Sequence, residues 1–313
     1  MANISVVIPI YNEEKSIHML IKKLMKLKAD PRIDNLEVFL INDGSKDKSL
    51  EIIRENIQAH KDFKIINLSR NYGQTAAIAA GIDNASNDII ITMDGDLQND
   101  PDDIPKLLMK LDEGFDVVSG WRKNRKDDFL TKVLPSKIAN RLISWISGVY
   151  LHDYGCTLKA YRKQVLKGLN LYGEMHRFIP ILTSWQGGKF TEIPVKHHAR
   201  EHGKSNYGLS RTFVVIIDLI FIKYLEKHFI HPIILFGGFS ILNFGLSIIS
   251  FMLMIYYKYW NGDSFIQTPL PQLIVIFVMT GMLSLFMGFL AEILMRTYFE
   301  SQNKKSYQIN NDN

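Results

Sequence analysis

The chain has 313 residues, 47% of them hydrophobic and 22% charged, with a formal net charge of +5 and a pI near 9.0. That length exceeds a typical domain and easily buries a core, and the single cysteine, Cys156, excludes an internal disulfide, in keeping with a reducing compartment. The basic balance fits nucleic acid or an anionic membrane surface, but no zinc-finger spacing, recognition-helix signature or RNP-type aromatic motif is present, so nucleic acid is not an expected partner.

From the amino end, "ISVVIPI" (4–10) is a continuous apolar strand, and Met1 leading straight into it argues against a cleavable signal. In "NEEKSIHMLIKKLMKL" the residues Ile17, Leu20, Ile21, Leu24 and Leu27 share one helical face. Asn12 is the expected N-cap, with Glu13 and Glu14 in the first turn. Next come the strand "LEVFLIND", the amphipathic helix "SKDKSLEIIRENIQAH", the strand "FKIINLS" and the alanine-rich helix "GQTAAIAAGIDNA". The strand "DIIITMD", the helix "DPDDIPKLLMKLDEG" and the strand "FDVVSG" complete the alternation. Strands without polar alternation, each returned by a helix, predict an α/β fold with a parallel sheet covered on both faces. Ligands of such sheets sit beyond the carboxyl ends of the strands, where four polar endings should converge: Pro9 to Glu13, Asn42 to Ser45, Ser69 to Asn71, and Asp94 to Asp96.

The last ending opens an acidic run, "ITMDGDLQND", followed by Pro101, Asp102 and Asp103. Asp100 reads as a helix N-cap, Pro101 as the first helical residue, and Asp102 and Asp103 as acids favoured by the helix dipole. Asp94 and Asp96 lie earlier, at the strand end, and with the amide carbonyl of Gln98 they offer hard oxygen ligands for Mg²⁺ or Mn²⁺. A calcium EF-hand loop counted from Asp94 fails, because its glycine would fall on Asn99 and its bidentate glutamate on Pro105. His197, His198 and His202 lie in a loop without a fourth ligand, so a zinc site is not expected.

Beyond about residue 210 the composition changes, and from Phe229 to Met295 charges almost vanish. Leu209 to Phe229 has a broad apolar surface broken by Arg211, Asp218, Lys223, Glu226 and Lys227. It reads as a helix lying at the membrane surface, with packing against the preceding domain as the alternative. Pro232–Tyr257 and Leu273–Met295, the latter interrupted only by Glu292, are long enough to span a bilayer. Lys223 and Lys227 before the first span, and Arg296, Lys304 and Lys305 after the second, place both ends in the cytoplasm. The expected organisation is a catalytic domain over 1–208, an interfacial helix over 209–229, two spans within 230–297 and a cytoplasmic tail over 298–313.

The blocks "SVVIPIYNEE", "INDGSKDKS", "LSRNYGQTAAIAAGID", "MDGDLQNDP" and "VVSGWR" resemble, in order, those of family 2 glycosyltransferases with the GT-A fold, a Rossmann-like, mostly parallel sheet. Continuation through "YGCTLKAYRKQVL", "GEMHRFIPIL" and "HHAREHGKSNYG" into two spans is similar to the polyprenyl-phosphate glycosyltransferases, the group of bactoprenol glucosyltransferase and dolichol-phosphate mannose synthase. The resemblance implies transfer, with inversion, of one sugar from a nucleotide diphosphate sugar, UDP-glucose being the first choice of donor, to undecaprenyl phosphate at the cytoplasmic membrane. It implies nucleotide-sugar contacts at Pro9, Tyr11, Glu13, Asp43, Arg70, Gln74 and Asp94, and a metal held by Asp94, Asp96 and Gln98. Asp96 would be catalytic through the metal and Asp153 as the proposed base, although a phosphate acceptor is already anionic and Asp153 could instead orient it. Acceptor-phosphate contacts fall on Arg122, Lys132, Ser136, Arg200, Lys204 and Ser205; a lysine at 132 departs from the more usual arginine. A homo-oligomer, specifically a tetramer, is also implied. Two other readings stand beside this one: a processive polysaccharide synthase, whose Q-x-x-R-W motif is not met at Gln186, and a non-catalytic protein that binds a lipid-linked sugar.

Overall fold

The computed structural model describes residues 1–58, 60–123, 133–167, 169, 171, 173–185, 187–199, 232–262 and 264–301. Lys132, Arg200, Lys204, Ser205 and the interfacial segment 209–229 lie outside the described residues. The chain forms two compact units, Met1–Ile220 and Phe221–Asn313.

Among the described residues the first unit contains seven strands: β1 (Ala2–Ile10), β2 (Ile33–Asn42), β3 (Phe63–Asn67), β4 (Ile89–Thr92), β5 (Val117–Trp121), β6 (Lys159–Arg162) and β7 (Phe190–Pro194). Its helices are α1 (Ile17–Leu27), α2 (Ser49–Ile57), α3 (Gln74–Asn84), α4 (Ile104–Asp112), α5 (Leu134–Ser147), α6 (Lys163–Leu166) and α7 (Ile179–Trp185). The strands form one sheet in the order β3-β2-β1-β4-β6-β5-β7. All pairings are parallel except those of β6, which runs antiparallel to both β4 and β5. The five predicted strands are present, and β6 and β7 are added to them.

The sheet is covered on both faces, as apolar strands without alternation require. Val6, Ile8 and Ile10 of β1 pack with Leu20 and Leu24 of α1 and Leu107 and Leu111 of α4. Val7 faces the other way, into a second cluster with Phe39, Ile41, Ala77 of α3 and Ile179 of α7. Each such fully buried aliphatic side chain contributes about 1.5–3 kcal/mol of transfer free energy. The predicted apolar face of α1 is the buried one, residue for residue.

The start of α1 differs from expectation. Asn12 is not its cap: φ is 56° there, and the helix begins at Ile17, after Ser16. The side chain of Asn12 instead accepts from the Lys46 N–H at 2.8 Å, while its own N–H donates to Ser45 Oγ at 3.1 Å. Glu14 N–H donates to Asp47 Oδ2 and Glu13 N–H to Ser49 Oγ, so the loop after β1 is stitched to the loop after β2. That stitching uses up the polar groups that would otherwise cap the helix.

The second unit is a helical hairpin of α8 (Pro232–Tyr256) and α9 (Leu270–Ser301). Pro232–Asn261 and Leu270–Met295 are each long and apolar enough to cross a membrane. Polar side chains lie inside the hairpin and apolar ones outside: Ser240, Asn243, Ser247, Ser250 and Ser284 are buried, whereas Leu242, Phe251, Leu283 and Phe286 are exposed. Thr280 Oγ1 donates to Asn243 Oδ1 at 2.9 Å and Ser284 Oγ to the Phe236 carbonyl at 2.8 Å. A water-soluble hairpin would show the reverse order; lipid-facing helices satisfy their polar atoms against each other.

Candidate active site

Four strand ends carry the residues expected on the donor side. The register Ile10, Asn42 and Asn67 aligns β1, β2 and β3, and β4 stops earlier, Thr92 opposite Val7. The residues after Thr92 therefore run alongside the end of β1. Gly95 lies so close that a Cβ would meet the Pro9 carbonyl and Ile10 Cγ1 at 3.3 Å, which accounts for a glycine between the two aspartates.

Asp94 is held from two sides. Gln74 Nε2, at the first position of α3, donates to its Oδ1 at 2.7 Å, and Thr157 Oγ1 donates to Oδ2. Burial, and then the charge of Asp96, push its carboxyl up to about 6; the Thr157 hydrogen bond and the cations of Arg122 and Arg177 oppose that rise. Asp96 accepts from the Gln98 N–H at 3.1 Å, closing a turn in which Leu97 takes φ 62°. Two like charges that raise a carboxyl in this way are a situation a divalent cation relieves, and Asp94 and Asp96, with the side-chain amide of Gln98, are the residues that could hold Mg²⁺ or Mn²⁺. Of the histidine-rich stretch, His202 lies outside the described residues.

The other predicted donor residues lie at the ends of β1, β2 and β3. Asp43 is 3% exposed and its two oxygens accept from the Tyr72 and Gly73 N–H groups at 2.7 and 2.9 Å, so it fixes the loop that opens α3. Arg70, in that loop, stacks over the Tyr72 ring at 4.8 Å. Pro9, Tyr11 and Glu13 are half-buried at the end of β1, and the Glu13 carboxylate accepts from Ser16 Oγ at 2.8 Å.

The later acids do more than start a helix. Asp100 accepts from the Asp102 N–H with Pro101 at the first position, as the sequence predicted, although the first turn, Pro101–Asp103, is a 3₁₀ helix. Asp100 Oδ2 also accepts from His198 Nε2–H at 3.1 Å, and Asp103 Oδ2 from the Lys196 N–H at 2.6 Å. Burial opposes the charge on Asp100, but the bonds from His198 and Asp102 hold its carboxyl below the ordinary value. The His198 N–H donates to the Gln98 carbonyl at 3.0 Å. The segment leading to Arg200 is thus fastened along the acidic loop.

On the acceptor side, Arg122 follows β5 and Asp153 precedes β6. Arg122 Nε and Nη2 donate to Asp153 Oδ2 and Oδ1 at 2.7 and 2.9 Å, a bidentate pair, and the Arg122 and Gly155 N–H groups add further bonds to that carboxylate. Burial alone would lower the Arg122 pKa; the charge and bonds of Asp153 outweigh it and raise it. The preceding residues pair as well: the Trp121 and His152 rings stack at 4.3 Å, and the Glu192 carboxylate accepts from both N–H and Nδ1–H of His152. Ser136 is half-buried in the first turn of α5.

Three groups were not singled out from sequence. Thr157 binds Asp94. Lys159 is fully enclosed, its ammonium donating to the Tyr154 carbonyl at 3.1 Å, and burial pushes it down to about 8. Arg177 bonds Glu174 at 3.0 Å and bears on Asp94. A lysine inside "TLKAY" and an arginine inside the apolar "HRFIPIL" were the available signals, since a charge in an apolar run seeks a buried partner.

This arrangement can be set beside known proteins. The sequence profile described as Glycosyl transferase family 2 matches residues 5–169, from β1 to just past α6. The chain belongs to that family. This family 2 glycosyltransferase is 40% identical over 315 residues to the dodecaprenyl-phosphate galacturonate synthase of Rhizobium johnstonii, covering 97% of this chain and 91% of the relative. It is 36% identical to the undecaprenyl-phosphate 4-deoxy-4-formamido-L-arabinose transferase of Edwardsiella ictaluri, covering 98% and 93%. The polyprenyl-phosphate glycosyltransferase resemblance seen in the sequence is thereby upheld. Among solved structures, glucosyl-3-phosphoglycerate synthase from Mycobacterium tuberculosis, in complex with Mn²⁺, UDP and phosphoglyceric acid, aligns with a TM-score of 0.54 at 18% identity over 72% of this chain and 78% of that one. At that identity the likeness shows the fold of the glycosyltransferase, in agreement with the GT-A expectation.

Proposed function

We propose that this glycosyltransferase moves one sugar from a nucleotide diphosphate sugar to undecaprenyl phosphate, with inversion at the anomeric carbon, at the cytoplasmic face of the membrane. The observation that supports the reading is that one short segment joins the two pairs: Thr157 bonds Asp94, and Asp153, four residues earlier, holds Arg122. The relatives' names, both polyprenyl-phosphate transferases, and the two apolar helices support a lipid acceptor.

In the proposed reaction an oxygen of the lipid phosphate attacks the anomeric carbon, and the bond from that carbon to the nucleotide diphosphate breaks. A Mg²⁺ or Mn²⁺ ion held by Asp94, Asp96 and Gln98 would neutralise charge on the departing diphosphate. Gln74 and Thr157 hold Asp94 in place, and Asp43 shapes the loop beside the nucleotide. Arg122 contacts the acceptor phosphate, assisted by Lys132, Ser136, Arg200, Lys204 and Ser205. The acceptor is already anionic, and both oxygens of Asp153 are engaged. Asp153 therefore acts by aiming Arg122 rather than by removing a proton.

The donor expectation from sequence was UDP-glucose, whereas the relatives' names give galacturonate and 4-deoxy-4-formamido-L-arabinose. A screen of labelled UDP-glucose, UDP-galacturonate and the formamido-arabinose donor against purified protein with undecaprenyl phosphate tests the reading. Lipid-extractable label with any of them upholds the transferase; none with all three, in Mg²⁺ and in Mn²⁺, overturns it. Protease accessibility in sealed vesicles checks the cytoplasmic placement of both termini, and crosslinking checks the tetramer.

A further inference from the structure

The short turn Met175–Arg177 lies beyond residue 169, where the family profile ends, and brings another cation to the acceptor-side cluster. The turn is pinned to the start of α3. Thr75 Oγ1 donates to the Gly173 carbonyl at 2.5 Å and so must accept from His176 Nδ1–H at 2.6 Å, since a hydroxyl has one proton to give. Glu174 Oε2 accepts from Arg177 Nε at 3.0 Å.

That anchorage directs Nη1 of Arg177 at Gly155. A Cβ on Gly155 would lie 3.6 Å from it and 3.1 Å from Nη2 of Arg122. Two guanidinium groups, with the Asp153 carboxylate at 3.5 Å, thus converge on a residue without a side chain; a Cβ there would press on Arg122 and would make ordinary contact with Arg177. Asp153 and Glu174 offset part of their repulsion. Convergent planar donor forks of this kind match phosphate and carboxylate oxygens. Among the described cations of the cluster access differs: Lys159 is 2% exposed, while the side chains of Arg122 and Arg177 are 14% and 23% exposed. Of these three, Arg177 is the one a substrate reaches most easily.

We propose that Arg177, with Arg122 across Gly155, binds an oxyanion of the substrate, either a phosphate or the carboxylate of a uronic-acid donor. This assignment rests on the transferase reading above and names a further contact of the same site. The test is calorimetric binding to the purified full-length protein of UDP-galactose, UDP-galacturonate and micellar undecaprenyl phosphate, for wild type, Arg177→Gln and Arg177→Lys, alongside KM and kcat with each donor. Losing one charged hydrogen bond weakens the affected ligand roughly 10- to 100-fold. A loss confined to UDP-galacturonate identifies the sugar carboxylate. A loss confined to undecaprenyl phosphate identifies the acceptor, and an equal loss for both nucleotide sugars identifies the diphosphate. Arg177→Lys keeps the charge without the fork and serves if Arg177→Gln does not fold. Wild-type affinity and KM for every ligand in a folded variant overturn the proposal. Binding needs no turnover, so a wild-type protein that transfers nothing defeats the transferase reading while the Arg177 assignment is still decided.

Discussion

Two acids at separate places on one sheet show how differently the same chemical group is treated. Glu37, in β2, accepts from Ser5 Oγ at 2.7 Å, Lys64 Nζ at 2.5 Å, and Ser86 N–H and Oγ at 3.0 and 2.8 Å. Burial opposes its charge, but those donors hold its carboxyl down to about 2. Asp94, beyond the end of β4, is pushed the other way, to about 6, with a second carboxylate beside it. One acid has been given donors enough to stay charged and hold strands together; the other has been set against a like charge, an arrangement that costs stability. The first pattern is that of a structural acid; the second is the pattern on which the proposed site rests.

The sharpest way to break that contrast is Asp96→Ala. Transfer should fall roughly 10²–10³-fold with the melting temperature little changed, and excess chelator should reproduce the loss in wild type. Activity that survives either treatment would falsify the metal role. Glu37→Gln should do the opposite, lowering folding stability by about 2 kcal/mol while the folded fraction retains its kcat. Because the folded pKa of Glu37 lies below the ordinary 4.5, its contribution is complete above pH 4.5 and is lost as the pH falls through about 2. Denaturant melts of wild type and Glu37→Gln across that window should converge at the acid end, and parallel curves would remove Glu37 from the account.

Thr157→Val takes one hydrogen bond from Asp94 and should raise the donor KM about tenfold, more than the acceptor KM. A change in the acceptor KM alone would place Thr157 on the wrong side of the site. Smaller still, Asp100→Ala removes a cap and the His198 bond. It should cost about 1 kcal/mol in a denaturant melt and raise the acceptor KM a few-fold, through the segment that runs to Arg200. Unchanged acceptor kinetics would confine Asp100 to helix capping.

Much of the sheet was legible because burial on two faces leaves a simple signature: runs such as Val6, Val7 and Ile8 with no polar break. The apolar face of α1 was equally plain from its spacing. What escaped notice was long-range. Asn12 looks like a cap within its own stretch, and only the N–H of Lys46, 34 residues away, gives its side chain a better use. β6 is four residues with Lys159 and Arg162 at its ends, and it becomes a strand because β4 and β5 lie on either side of it. The place of the D-G-D motif at a strand end was readable, and the structure has Asp94 just past β4. That Asp153 faces Arg122, 31 residues earlier, was not readable, since no local pattern links a turn before one strand to the end of another. The division of the acidic run also held only in part, because Asp100 and Asp103 both begin a helix and fasten the chain at residues 196–198.

The helical hairpin has a kinetic consequence. With Asn243 and Thr280 bonded to each other, and Ser284 to a backbone carbonyl, it turns little but hydrocarbon outward, and a helix pair of that kind does not leave a bilayer on the timescale of catalysis. For an acceptor that is itself a lipid, encounter then becomes diffusion within a sheet rather than through a volume. What governs the rate is the surface density of the acceptor, so diluting the membranes with buffer should leave turnover unchanged, whereas diluting them with inert lipid should slow it.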